Sequence, residues 1–319
     1  MKKALLAASL CTAAGIAPAM AQDFPTRPIE MIVPAPAGGG TDTAARMLAT
    51  QVSQVIDKPV AVINVAGSGG GVGVTQFLRS KPDGYTLLAT WNGAITSVPH
   101  VQPVQYDMDS FTPIISTSQT PYTLCVKPDF PADDGQGFIE EVLKRPGHYS
   151  YGNDGVGGVM QLAVERLAGP TGIDLHPIPF RGAGETLQNF LGGHVDIYGG
   201  TISPIVPYVE SGEAKCLIVT SAEPNDVLPN ASSFGQLGYP ELETVLWRFI
   251  MAPKDLPEER RAFLADAIEQ AALAPEHQEF LAKIGESPRI LKGDELDQRI
   301  RAEFDAFGEV LRSLGLARN

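Results

Sequence analysis

The chain has 319 residues, and its 24 lysines and arginines against 37 aspartates and glutamates give a formal net charge of −13. An acidic chain with no basic cluster is a poor match to nucleic acid or to an anionic membrane, so we expect it to bind neither. The five histidines and three cysteines have no paired spacing, which gives no support for a zinc site or a disulfide scaffold. We expect no metal and no cofactor.

The first 21 residues have the pattern of a secretory signal peptide. Lys2 and Lys3 precede a short apolar run, and Ala19-Met20-Ala21 offers an A-x-A cleavage site. The run is shorter than the roughly 20 residues that span a bilayer. We therefore expect export, cleavage after Ala21 and a soluble mature protein.

A strand, a glycine loop and a helix start fall within a dozen residues near the start of the mature chain. The apolar run 29–33 predicts a strand, and helical spacing of apolar residues predicts a helix over 41–56 with Thr41 as its N-cap. The loop residues between and around them are Pro36, Ala37, Gly38, Gly39, Gly40, Thr41 and Asp42. Unpaired N–H groups and the dipole at a helix start bind anions, and glycine allows close approach. The alternative is a tight βα turn without a ligand.

Two further βα units follow and complete a first series. Strands are predicted at 60–63 and 86–90, with a helix to about Arg79 between them, and Trp91 and Asn92 follow the last strand. Successive βα units predict a parallel sheet flanked by helices. The loops at the carboxyl ends of such strands line the ligand crevice.

A second series repeats this design after two closely spaced strands predicted at 112–116 and 122–127. Strands at 149–151, 176–179 and 195–198 alternate with helices, and glycine loops at 152–158, 181–184 and 199–201 follow the strands. Further strands are predicted at 215–220 and 246–252, and helices at 257–273, 275–284 and 294–314. We expect the tail helices to pack on the first series.

Two cysteines remain in the mature chain, and both lie in predicted strands. Cys125 and Cys216 form a disulfide if those strands are neighbours; two buried free thiols are the alternative.

The same glycine loops could also belong to a nucleotide-binding protein or a hydrolase, and each class has a characteristic motif. Neither G-x-x-x-x-G-K-[ST] nor G-x-G-x-x-G occurs. The segment 66–70 around Ser68 is one substitution from the G-x-S-x-G nucleophile elbow, so a secreted α/β hydrolase using Ser68 is the alternative function. No histidine has a recognisable spacing to Ser68, and a small loop residue is the simpler interpretation.

Several blocks together resemble the substrate-binding receptors of tripartite tricarboxylate transporters, also called Bug receptors. They are the segments 25–29, 33–46, 82–87, 179–182, 191–196 and 219–221, which read PTRPI, VPAPAGGGTDTAAR, PDGYTL, PFRG, LGGHVD and VTS. The match runs from residue 24 to the end in the same order.

The resemblance implies a two-lobed periplasmic binding protein of type II, α/β in class, with a mixed sheet flanked by helices in each lobe. Residues 22–120 and 222–319 would form lobe 1, and 121–221 lobe 2, after a signal peptide at 1–21. The lobes would close like a Venus flytrap on a small organic carboxylate or its amide in the periplasm. Implied partners are membrane transporter subunits or a membrane sensor. We expect a monomer and no enzymatic activity.

The resemblance also places the ligand between the first loop and its counterpart in the second series. The counterpart contributes Gly152, Asn153, Asp154, Val156 and Gly157. The resemblance also places the loops at 66–71, 91–94, 181–183 and 200–203 around the cleft. Their candidate residues are Ser68, Trp91, Asn92, Arg181, Gly182 and Thr201, and Arg248 is a candidate for the far end of the ligand.

Three residues depart from the usual family pattern and are candidates for ligand choice. Asp154 either accepts from a ligand donor or faces water, and Trp91 either stacks on a planar ligand or packs in the core or on the surface. Arg248 is either a distal ligand contact or a surface charge. Arg181 is open between ligand binding and structure, while Arg46, inside the first helix, is interpreted as structural.

Overall fold

A computed structural model describes residues 24–318 of the chain. The predicted signal peptide and its cleavage site after Ala21 lie outside these residues. Within 24–318 no helix is long and apolar enough to cross a membrane.

The first βα series forms a parallel sheet as predicted. Its elements are β1 (Ile29–Val33), α1 (Gly40–Ile56), β2 (Val60–Asn64), α2 (Gly71–Phe77), β3 (Thr86–Trp91) and α3 (Val98–Val101). The central strand β1 pairs in parallel with β2 and β3. Four apolar residues of α1 at helical spacing, Ala44, Ala45, Leu48 and Val52, are buried against the sheet. The prediction of Thr41 as N-cap is wrong, because α1 begins at Gly40 and the cap position is Gly39.

One long strand, β4 (Phe111–Val126), replaces the two predicted strands, so that prediction is wrong. Its polar middle, 116–121, resembles a loop in the sequence but is buried because it pairs with a later strand. The strand passes through the predicted lobe boundary at 121 without a break. The boundary itself stays a prediction.

The second series alternates as predicted, with one helix more. Its elements are α4 (Gly135–Lys144), β5 (Ser150–Asn153), α5 (Val159–Thr171), β6 (His176–Pro179), α6 (Ala183–Leu191), β7 (Ile197–Thr201), α7 (Ile202–Glu210) and β8 (Lys215–Val219). The additional helix α4 has a signal in the sequence, since Asp134 caps it by accepting a hydrogen bond from the backbone N–H of Gly137 at 2.7 Å.

The chain then returns to the first sheet. The elements are β9 (Ser232–Ser233), β10 (Val245–Pro253), α8 (Glu258–Ala272), α9 (Pro275–Lys283), β11 (Ser287–Pro288) and α10 (Gly293–Ser313). The strand order is β2-β1-β3-β10-β4-β7-β5-β6, with β10 antiparallel to both of its neighbours. Two antiparallel strands, β10 and β4, therefore join two parallel groups.

The tail helices pack on the first series only in part. Leu264 and Ile268 of α8 lie in the core beneath α1, and Leu296 at the start of α10 lies in the core on the other sheet face. Phe307 and Leu311, at the end of α10, belong instead to the core of the second series. The last helix thus connects the two halves.

The two cysteines lie on adjacent antiparallel strands. Cys125 of β4 is opposite Cys216 of β8, and the two are joined in a disulfide. Of the two alternatives left open by the sequence, the structure has the bonded one.

Candidate functional site

A cavity of about 300 Å³ lies between the two series, at the carboxyl ends of their parallel strands. This is where open α/β sheets bind ligands, and the volume is at the lower end for ligand pockets. The predicted site residues in its wall are Pro36, Ala37, Gly39, Gly40, Thr41, Trp91, Asp154, Arg181, Gly182, Thr201 and Arg248.

Other predicted site residues do not line this cavity. They are Gly38, Asp42, Ser68, Asn92, Gly152, Asn153, Val156 and Gly157. The counterpart loop at 152–158 therefore contributes only Asp154 to the wall. Asn153 instead accepts a hydrogen bond from the N–H of Gly155 at 2.9 Å, which shapes the loop itself.

The first loop is fixed by one buried carboxylate. Asp42 accepts hydrogen bonds from the N–H of Gly38 at 2.8 Å and from Nδ2 of Asn64 at 2.8 Å, and it pairs with Nε of Arg46 at 2.9 Å. Burial raises the pKa of Asp42, but these hydrogen bonds outweigh it and the pKa is lowered. The carboxylate stays charged and holds the loop, which agrees with the structural interpretation of Arg46.

The start of α1 lies at the cavity and has the chemistry that favours an anion. The first N–H groups of a helix have no partner within it, and the dipole adds partial positive charge. No side chain caps this end at Gly39. Gly40 and Thr41, at the start of the helix, line the cavity.

A buried arginine lies beside this helix start. Arg248 is in β10, between Trp91 of β3 and Ser118 of β4, and its side chain is only 5% exposed. Its Nη1 donates to Oε2 of Glu286 at 2.5 Å, while Nε and Nη2 have no hydrogen-bond partner among residues 24–318. The interpretation of Arg248 as a surface charge is therefore wrong.

Two polar side-chain groups converge next to Gly40. A Cβ added to Gly40 would lie 3.1 Å from Nη2 of Arg248 and 3.1 Å from Oγ1 of Thr201. The hydroxyl of Thr201, at the N-cap of α7, is also buried without a partner. Buried polar groups without partners cost about 1–3 kcal/mol each, so a ligand acceptor that satisfies them is favoured. The arrangement suits a carboxylate.

A second charged group faces the cavity from the other series. Oδ2 of Asp154 accepts a hydrogen bond from the hydroxyl of Tyr122 at 3.0 Å, and Oδ1 accepts one from the N–H of Met160 at 3.2 Å. Burial raises the pKa of Asp154 to about 6, despite these hydrogen bonds. Asp154 therefore changes from the neutral to the charged form as the pH rises through about 6.

Trp91 and Arg181 have mixed surroundings. Trp91 is half-buried, packs against three core clusters and also lines the cavity, so it is both a core and a cavity residue. Arg181 lines the cavity too, but its side chain is 76% exposed and pairs with Glu185, Nε to Oε2, at 3.0 Å. Arg181, just before α6, is thus already paired with an acid in the first turn of that helix.

Asn92 and Ser68 do not line the cavity. Asn92 is fully buried and donates to Oε1 of Glu303 on α10 at 2.7 Å, which ties the end of β3 to the last helix. Ser68 lies in the loop before α2, and among residues 24–318 no histidine lines the cavity. In the same range no group of histidine, cysteine and acidic side chains is arranged to hold a metal ion.

Sequence reasoning missed some of the wall. Ala66, Gly69, Ala183 and Gly200 lie in loops that the resemblance places around the cleft but were not named singly, and the residues missed are Ala35, Tyr122, Gly184, Glu185 and Leu246. Most lie within or beside the loops implied around the cleft, so loop position was an available signal. Tyr122 and Leu246 lie inside strands, and only the sheet order brings them to the cavity.

Comparison with known proteins identifies the family. The model of the tripartite tricarboxylate transporter family receptor, TctC, matches residues 44–316. The chain belongs to this family. The TctC receptor is also 30% identical over 315 residues to Protein BugT of Bordetella pertussis, which covers 98% of this chain and 97% of that protein.

Solved structures agree with this assignment. The periplasmic binding protein BugD is 29% identical, with a TM-score of 0.83, and the match covers 93% of this chain and 100% of that chain. R. palustris Rpa4515 with adipate is 26% identical, with a TM-score of 0.86, over 92% of this chain and 99% of that chain. The predicted α/β fold of a periplasmic binding protein is confirmed, and the TctC receptor is a solute-binding receptor of this type.

Proposed function

We propose that this TctC receptor captures a small organic carboxylate in the 300 Å³ cavity. The observation that carries the proposal is the convergence of Arg248 and Thr201 on the start of α1, with unpaired donors on both side chains. A charge-assisted hydrogen bond to a carboxylate is stronger than one to a neutral group. The guanidinium therefore favours an acid over its amide, and adipate in a related structure gives the first ligand to try.

Capture closes the two lobes. The ligand would contact lobe 1 through Gly40 and Arg248 and lobe 2 through Thr201 and Asp154. Only contacts that differ between open and closed states shift that equilibrium, and residues from both lobes supply them. The lobe boundaries at 120/121 and 221/222 belong to this proposal.

The cellular setting follows from the family and the start of the chain. The receptor acts in the periplasm after cleavage behind Ala21, as a monomer, and delivers its ligand to membrane transporter subunits; delivery to a membrane sensor is the variant of this role. It has no enzymatic activity. Turnover of an ester that is lost in Ser68→Ala would contradict this.

The test is a thermal-shift and calorimetry panel on the mature protein. The panel contains adipate, shorter dicarboxylates, monocarboxylates and the corresponding amides. A bound acid at 100 times its Kd stabilises the folded state by about 2.7 kcal/mol. We expect at least one acid to raise Tm and its amide to bind more weakly. A panel in which no acid binds, or in which every amide binds better than its acid, would contradict the proposal.

A further inference from the structure

The buried ion pair of Arg248 and Glu286 leaves atoms on both side chains without hydrogen-bond partners among residues 24–318. Oε2 of Glu286 accepts hydrogen bonds from Nη1 of Arg248 at 2.5 Å and from the hydroxyl of Ser118 at 3.0 Å. The other oxygen, Oε1, has no hydrogen-bond partner in the described part of the chain. The Glu286 side chain is 0% exposed. The glutamate holds one edge of the guanidinium, and the other edge, with Nη2, is next to Gly40 at the cavity.

Ligand binding changes the charge balance of this pair. With Glu286 ionised and no ligand bound, the pair is neutral. A carboxylate beside Nη2 puts two anions on one guanidinium and leaves a net negative charge in a region shielded from water. Charges interact strongly there, and an uncompensated buried charge is costly. A proton on Glu286 removes this excess charge, and its unpartnered Oε1 is the oxygen free to receive it.

The remaining neighbours of Glu286 do not offset that charge. His277 of α9 is buried, and it borders a small void that is also lined by Arg248 and Ser118. Burial lowers the pKa of His277, so it is neutral. On its outer side Glu286 lines a second cavity together with three further acids, Glu223, Asp226 and Glu243. None of these three residues is a cation that could offset the charge.

We propose that capture of a carboxylate at Arg248 is coupled to the uptake of one proton by Glu286. The inference rests on the proposed function. The proton comes from solvent and binds Oε1, while Oε2 keeps its contact with Arg248. Glu286 is thus a positioning residue that also sets the net charge of the site. One carboxylate and one proton enter the site together, so its net charge does not change on binding.

The direction of the pH effect follows from linkage. Burial raises the pKa of Glu286 even though Arg248 lowers it, and a bound anion beside Arg248 raises it further. The bound state then holds more protons than the free state. Affinity therefore falls as pH rises, by up to about tenfold per pH unit where free Glu286 is ionised.

The experiment is calorimetry of adipate binding at pH 7 and pH 8, in Hepes and in Tris. Carboxyls in water titrate near pH 4, so adipate stays ionised throughout. The dependence of the heat on buffer ionisation gives the number of protons taken up. We expect uptake approaching one proton and a Kd that weakens up to about tenfold from pH 7 to pH 8. In Glu286→Gln we expect the uptake to fall by up to one proton, with only the part due to Asp154 remaining, and the Kd to depend less on pH.

The variant Asp154→Asn distinguishes proton uptake by Glu286 from proton uptake by Asp154, the other acid near the site. We expect this variant to keep the proton uptake even if its affinity changes. The absence of uptake in wild type, unchanged uptake in Glu286→Gln, or its loss in Asp154→Asn would each overturn the inference. The wild-type measurement decides the matter even if Glu286→Gln does not fold. Binding without proton uptake leaves the proposed function standing, whereas failure of adipate and of the whole acid panel to bind ends both.

Discussion

Nη1 of Arg248 donates to Oε2 of Glu286 at 2.5 Å, and both side chains are almost completely removed from solvent. Two nitrogens of the same guanidinium remain without partners. The pair therefore does two things at once, since Glu286 compensates and orients a buried cation whose Nη2 lies directly behind Gly40 in the cavity wall.

Breaking this pair is expected to destabilise the fold. Arg248→Met leaves Glu286 as an uncompensated buried carboxylate, and loss of one partner of a buried pair costs about 3–5 kcal/mol. The double variant Arg248→Met with Glu286→Gln should recover most of that loss, because no charge remains buried. Urea unfolding at pH 7.5 measures both. Equal stabilities of the single and double variants would contradict the assignment of the pair.

Removal of the Thr201 hydroxyl is expected to affect binding and not folding. Oγ1 has no hydrogen-bond partner, so Thr201→Val breaks no bond of the folded protein. A hydrogen bond to a charged group contributes about 1.5–3 kcal/mol, so the Kd for the carboxylate should rise roughly tenfold or more. Calorimetry and thermal unfolding measure the two effects. The control, Thr50→Val on the exposed face of α1, removes the hydrogen bond from its hydroxyl to the backbone oxygen of Arg46 at 3.0 Å but should leave the Kd unchanged. A Kd unaltered in Thr201→Val would remove this contact from the site.

Asp154 is expected to make stability depend on pH. Its folded pKa is raised to about 6 by burial, above the ordinary value of 3.8. The stabilisation from this raised pKa is fully present below the unfolded value and is lost as pH rises through 6. Asp154→Asn should therefore reduce the loss of stability between pH 4 and pH 7. Urea unfolding across that range measures it, and identical pH profiles of the two proteins would count against the raised pKa.

The disulfide is expected to stabilise the second series. Cys125 and Cys216 are 91 residues apart in sequence, and closing a loop of that size removes entropy from the unfolded chain. The double variant with alanine at both positions should lose about 2–5 kcal/mol of unfolding free energy. Mass spectrometry of the alkylated periplasmic protein first checks that the bond forms. Quantitative alkylation of both thiols without reduction would show that it does not.

Local patterns were enough to predict most elements and part of the site. The βα series follow from apolar periodicity, and the first loop was recognised because Gly38 to Gly40 separate a strand from a helix. The middle of β4 was missed because its polar residues are paired with β10 and buried, which is a tertiary effect. Residues from different strands that meet only through sheet order, such as Tyr122 and Leu246, gave no local signal.

The charge pair was beyond sequence reasoning for a similar reason. Arg248 and Glu286 are 38 positions apart, and they meet because β10 and the segment after α9 both lie against β4. A lone arginine in an apolar strand indicates either an edge or a buried partner. The sequence does not show which acid is that partner, so the surface interpretation of Arg248 stayed open until the fold was available.

The central claim is that a ligand carboxylate lies against the start of α1 beside Arg248. Calorimetry of Gly40→Ala with the tightest-binding acid of the panel tests it most directly, because the new Cβ would lie 3.1 Å from both Nη2 of Arg248 and Oγ1 of Thr201. Gly169→Ala, whose Cβ meets nothing within 4 Å, is the control for the glycine-to-alanine change. We predict that Gly40→Ala keeps the fold and loses at least tenfold in affinity while Gly169→Ala binds as wild type. Wild-type affinity in a folded Gly40→Ala protein would contradict the account.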